Sequence, residues 1–196
     1  MNFLAHLYLS GDHPDLMVGN FIADHVKGNQ IENYNKGIKD GIILHRRIDA
    51  YTDSHQIVRK SVMRLRPGFR KYAGVVVDMF YDHFLAANWH DYSDVTLEVF
   101  AAKCYSVLQN HKELLPERTK RMLHFMARDN WLHAYARTDG IHAALDGMAS
   151  RTAFHSGMEN AVDALLEDYD AYLSEFRIFF PEIINHSALL RNELLK

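Results

Sequence analysis

Punctuation is what this chain lacks. Four prolines and ten glycines are spread over 196 residues. The long stretches between them place apolar side chains three and four residues apart, the spacing that lines one face of an α-helix. The segments VTLEVFAAKCYSVLQNH, ERTKRMLHFMARDNWLHAYA and NAVDALLEDYDAYLSEFRIFF all carry this period, and no series of alternating strands joined by hairpin signals is present. The expected fold class is all-α: a single compact multi-helix domain over residues 1–196, with about nine or ten helices on short connections. Breaks are expected near Gly11 to Pro14, Gly28 to Asn35, Pro67 to Gly68, Asn88 to Asp94, Pro116, Thr138 to Gly140, Ser156 to Gly157 and Pro181, where turn-forming and helix-breaking residues gather.

Apolar residues make up 48% and charged ones 24%, which suits an ordinary soluble protein and excludes a disordered chain. The lone Cys104 cannot form an internal disulfide, and no Cys/His zinc spacing exists. A reducing, cytoplasmic setting is therefore expected. The opening MNFLAHLYL lacks a basic n-region and contains His6, so it reads as core rather than as a signal peptide. No apolar run reaches the roughly 20 residues that span a bilayer.

The net charge of −3 is unevenly spread. Residues 59–71 hold Arg59, Lys60, Arg64, Arg66, Arg70 and Lys71 without an acid, whereas Glu159 to Glu182 is acidic. A basic run is ordinarily a solvated helix face. As an interface it would suit nucleic acid or an acidic protein. Only Phe69 and Tyr72 could offer stacking surfaces there, and no nucleic-acid motif is present.

Chemistry enters through polar residues on apolar faces. With GIILHRRIDAYTD wound as a helix, His45 and Asp49 fall in the middle of the apolar stripe, and Arg46 and Arg47 point to its flank and back. In GVVVDMFYDHFLAANW, apolar nearly all round, Asp78 and Asp82 lie one turn apart while His83 projects elsewhere. Asp24 shares a face with Met17, Asn20 and Phe21, and His6 sits in the apolar opening. Each could be a hydrogen-bonded structural group, and Asp49 and Asp53 could cap helices or pair with Arg46 or Arg47. A buried carboxylate must be paired, hydrogen-bonded or metal-bound. Carboxylates with neutral imidazoles and no thiolate suit Mn²⁺, Mg²⁺, Fe²⁺ or Zn²⁺, and such an ion makes phosphate-ester hydrolysis feasible near neutral pH. No nucleophile elbow, phosphate loop, dinucleotide fingerprint or His-Glu-x-x-His is present.

In their order and spread, MNFLAHLYLS, VGNFIADHVKG, GIILHRRIDAYTD, VVVDMFYDHFLAANW and GMASR at 147–151 resemble the acyl carrier protein phosphodiesterase family over most of the chain. The resemblance implies a cytoplasmic hydrolase that cleaves the phosphodiester between phosphopantetheine and a serine of holo-acyl carrier protein. It also implies Mn²⁺ dependence and a distant kinship with all-helical HD-type phosphohydrolases. Carried over by position, it puts Asp24, His45, Asp49, Asp78, Asp82 and His83 among the metal ligands. Arg46 would stabilise developing charge, and His6 or His83 would donate a proton to the leaving serine oxygen. Residues 59–71 would then dock the acidic carrier protein. The usual adjacent His-Asp signature is absent, replaced by Asp82-His83 or by the split His45/Asp49. Two other readings remain open: a phosphohydrolase for a small nucleotide or phosphodiester, and a non-catalytic helical module that binds an acidic protein.

Overall fold

Helix α1 (Phe3–Leu9) begins at Asn2, whose side chain accepts the N–H of Phe3. A tight turn leads into α2 (Pro14–Ile22), with a proline at the first helical position where its fixed φ suits the start. Helix α3 (Lys36–Ser54) is capped by Asn35, which accepts the N–H of Ile38. The remaining helices are α4 (Gln56–Phe69), α5 (Ala73–Ala87), α6 (Leu97–Asn110), α7 (Glu117–Arg128), α8 (Trp131–Ala134), α9 (Thr138–Ala149), α10 (Ala161–Glu167) and α11 (Tyr169–Leu194). The computed structural model describes residues 1–196 and contains no strand.

Helix α5 is the hub. Val76, Val77, Met79, Phe80, Tyr81, Phe84 and Leu85 are wholly buried along it, as its unbroken apolar character requires. One hydrophobic core runs from Met1 to Leu190. Helices α2 and α3 cross at touching distance because glycine faces glycine. A β-carbon on Gly19 would lie 2.1 Å from the Ile38 carbonyl oxygen, and one on Gly41 would lie 2.4 Å from that of Leu16. This crossing sets the backbone that follows α2 against the middle of α3.

The break expected near Pro67 to Gly68 falls just past them, at Arg70 to Tyr72, and the one expected at Pro181 is absent. Pro67 lies inside α4 and Pro181 inside α11. Both are exposed, so the carbonyl that each leaves unpartnered can bond to water. In α11 the buried stripe of Phe176, Phe179, Phe180 and Ile183 runs straight past the proline; its burial outweighs the roughly 3 kcal/mol that proline costs a helix interior. The break expected near Thr138 falls just before it, at 135–137, and α9 starts at Thr138. The chain does turn between α3 and α4, at His55, where no break was expected. Helix α4 ends at Arg70, held at φ 49°.

Candidate active site

Asn20 ties the centre together. Its amide nitrogen donates to the His6 carbonyl and to Ser10 Oγ, both at 2.9 Å. That fixes the amide and aims Oδ1 at two imidazoles: His6 Nδ1 lies 2.8 Å away and His45 Nδ1 2.9 Å. A carbonyl oxygen only accepts, so both rings carry a proton on Nδ1. The rings stack with centroids 4.1 Å apart, which sets both Nε2 atoms against Asp49, each 3.1 Å from one of its oxygens. His45 Nε2 also lies 3.4 Å from Asp24 Oδ1.

Neither Nε2 makes a directed hydrogen bond, although both are buried. In neutral rings they are lone pairs facing a carboxylate, an arrangement that repels until a cation lies between them. The ligand atoms of His6, His45 and Asp49 lie within 4.8 Å of one another. This donor set fits a divalent metal, and Asn20 fixes the tautomer as a carbonyl behind a ligating histidine does. In the metal-free protein a proton on His45 fills that place. Burial opposes a charged His45, but Asp24 and Asp49 outweigh it and raise its pKa to about 9. Burial and the neighbouring His45 lower the pKa of His6. Asp49 overcomes its own burial through the two imidazoles, which hold its carboxyl far below the usual range. The side chain of Asp24 is 70% exposed, so it can turn toward a bound ion.

The other expected ligands stand apart from this cluster. Asp82 is wholly buried and accepts the N–H groups of Asn2, Leu4 and Ala5, so it caps α1 and thereby positions His6. Burial pushes its pKa up to about 7 against the pull of those donors and of the Met1 amino group. His83 Nδ1 donates to the Tyr135 carbonyl at 2.8 Å and its Nε2 faces the Tyr169 hydroxyl at 3.2 Å, on the far side of α5 as its helical angle implied. Asp78 accepts the Met1 amino group at 2.8 Å. Arg46 points outward and donates to the Val26 carbonyl at 3.1 Å, bracing the turn (Ala23–His25) that carries Asp24.

The basic stretch divides. Arg64 grips the buried Glu175 with both terminal nitrogens, at 2.9 Å and 2.7 Å. Lys60 reaches the same carboxylate at 3.2 Å, and Arg59 donates to the Asp53 carbonyl. Arg66, Arg70 and Lys71 remain outward without an ion-pair partner; Lys71 stacks over the exposed Phe154 ring at 4.8 Å.

Beside the cluster lies a cavity of about 730 Å³. Asp24 belongs to its wall, together with His25, Asp78, Trp131, Tyr135 and Arg151. His25 is steadied by Thr119 Oγ1 at 3.0 Å. Asn20 and this cavity were not foreseen from sequence as functional features, although Asn20 was visible on the face it shares with Asp24.

An all-helical chain that gathers two Nδ1-protonated imidazoles and two carboxylates beside a cavity defines a helical protein with a candidate His/Asp metal centre. Comparison with known proteins is more specific. The chain belongs to the acyl carrier protein phosphodiesterase family, whose model matches residues 1–183. It is 34% identical to the acyl carrier protein phosphodiesterase of Enterobacter sp. (strain 638), covering 94% of this chain and 96% of that one. It is 32% identical to that of Photorhabdus laumondii, covering 92% of each, and 34% identical to that of Klebsiella pneumoniae (strain 342), covering 94% and 96%. No solved structure matches, and no helix is long and apolar enough to cross a membrane.

Proposed function

We propose that this chain is a cytoplasmic, divalent-metal-dependent hydrolase that cleaves the phosphodiester between phosphopantetheine and the serine of holo-acyl carrier protein, releasing apo-carrier and 4'-phosphopantetheine. The observation that carries the reading is the family match along residues 1–183, which contains every member of the His/Asp cluster. His6, His45 and Asp49 would hold the metal, Mn²⁺ first among the candidates, and Asp24 would complete the set. A bound metal supplies Lewis acidity toward a phosphoryl oxygen and a water acidic enough to ionise near neutral pH.

The chain's own residues prepare the rest. Asn20 keeps both Nε2 lone pairs available, and Asp82 holds the start of α1 so that His6 faces His45. The Gly19–Gly41 crossing brings Asp24 over the pair. Arg66, Arg70 and Lys71 offer the outward cations that would meet an acidic carrier, a contact that speeds encounter more than it strengthens the bound state. Lys60 and Arg64 are occupied by Glu175 and drop out of that docking role.

Asp49→Asn and His45→Ala test the centre. The expected outcome is a folded protein that binds no Mn²⁺ and releases no phosphopantetheine. Full metal binding and turnover in both variants would overturn the ligand assignment.

A further inference from the structure

The arm attached to the scissile phosphodiester must run somewhere from the His/Asp cluster, and one cavity starts there. We propose that this cavity receives the pantetheine arm of the carrier substrate, an uncharged chain of methylenes and two amides ending in a thiol; the proposal rests on the phosphodiesterase reading above.

The cavity shares Asp24 with the cluster, so a phosphorus held at the metal ligands places its first arm atoms at the cavity's end. Its volume of about 730 Å³ lies within the ~300–1,000 Å³ usual for small-molecule pockets. One face of α9 supplies the floor through Gly140, Ala143, Ala144 and Gly147, one or two turns apart. A β-carbon added at Gly147 would meet only Arg151 Nη1, at 3.6 Å, so that position is open space. The GMASR segment thereby gains a use: Gly147, Met148 and Arg151 all line the cavity.

The lining chemistry selects an uncharged ligand. Met148 and Trp131 give methylenes and the arm's paired methyls an apolar wall. The Tyr135 side chain adds to the same wall. Four carboxylates, Asp24, Asp78, Asp129 and Asp139, also line the cavity. Three of them are already paired, Asp78 with the Met1 amino group, Asp129 with Arg128 and Asp139 with Arg137, so the wall has no surplus of cations for a nucleotide's further phosphates.

The test uses the full-length, metal-free protein and D-pantetheine, which carries no phosphate, titrated into the millimolar range while the Trp131 indole resonance is followed by NMR. A saturable shift is expected. Gly147→Leu, which fills the open space and improves helix propensity, should weaken binding more than ~tenfold. Ala143→Leu, at an exposed position of the same α9 floor, should weaken it by ~three- to tenfold. Neither should lower the thermal midpoint. Unchanged binding in both variants, or no binding while Mn²⁺-loaded wild type still strips holo-carrier, would show that the arm lies elsewhere and would leave the phosphodiesterase reading intact. Failure to strip the carrier, with AMP rather than pantetheine moving the indole resonance, would remove both.

Discussion

Replacing Asn20 by leucine keeps its shape and deletes its polarity, and the structure gives the consequence in two parts. The Nδ1–H groups of His6 and His45, now 2.8 Å and 2.9 Å from Asn20 Oδ1, lose their only acceptor in a buried site. Left orphaned, they would cost about 1–3 kcal/mol each, about 2–6 kcal/mol together. An escape exists, because His6 can move its proton to Nε2 and His45 can release its Nδ1 proton while keeping the one on Nε2, each 3.1 Å from Asp49. The stability loss in urea unfolding should therefore settle near 2 kcal/mol, and imidazole ¹⁵N shifts should report the change of tautomer. The escape uses the atoms that would hold a metal. Mn²⁺ affinity measured by calorimetry should fall at least 10–100-fold, the usual cost of losing the group behind a ligating histidine. Wild-type Mn²⁺ affinity with both Nδ1 atoms still protonated would refute the account of how the centre is built.

Arg64→Glu would set a second negative charge against the buried Glu175; the expected loss is about 3–5 kcal/mol or failure to fold, read by urea unfolding. A docking residue would show a stability near wild type instead. Arg70→Glu with Lys71→Glu should raise KM for holo-carrier about tenfold at low salt, with the gap closing as salt rises past the point where the Debye length is about 8 Å. Gly41→Ala, which drives a β-carbon to 2.4 Å from a backbone oxygen, should cost at least ~2 kcal/mol through forced separation of α2 and α3. The pKa of His45 is raised from 6.5 to about 9, so the stability it lends the metal-free protein is full below pH 6.5 and lost as pH climbs through 9. Mn²⁺ must displace that proton, so metal affinity should rise over the same interval. A pH-independent affinity would contradict the assignment.

Much of this architecture was legible in the chain. The 3.6-residue period placed His45 and Asp49 together on the buried face of α3, and they do meet one site. The same period marked Asp82 as a buried carboxylate, but it could not choose between a metal and backbone N–H donors, because those donors come from Asn2, Leu4 and Ala5 at the opposite end of the first five helices. Asn20 hid for the same reason: its meaning depends on His6 and His45, which only the Gly19–Gly41 crossing brings to it. The six cations of residues 59–71 looked alike on a helix, and only the buried position of Glu175 on α11 separates the structural Lys60 and Arg64 from the outward Arg66, Arg70 and Lys71. Pro181 misled because a proline on an exposed face leaves a carbonyl to water, so burial on the other face decides.

The most direct measurement is the intact mass of holo-acyl carrier protein incubated with the metal-stripped chain, with and without Mn²⁺. The account requires the carrier to lose the mass of phosphopantetheine only when Mn²⁺ is present, with His45→Ala inactive under both conditions. Cleavage that proceeds without any metal, or an unaltered carrier in the presence of a Mn²⁺-loaded enzyme, would contradict it.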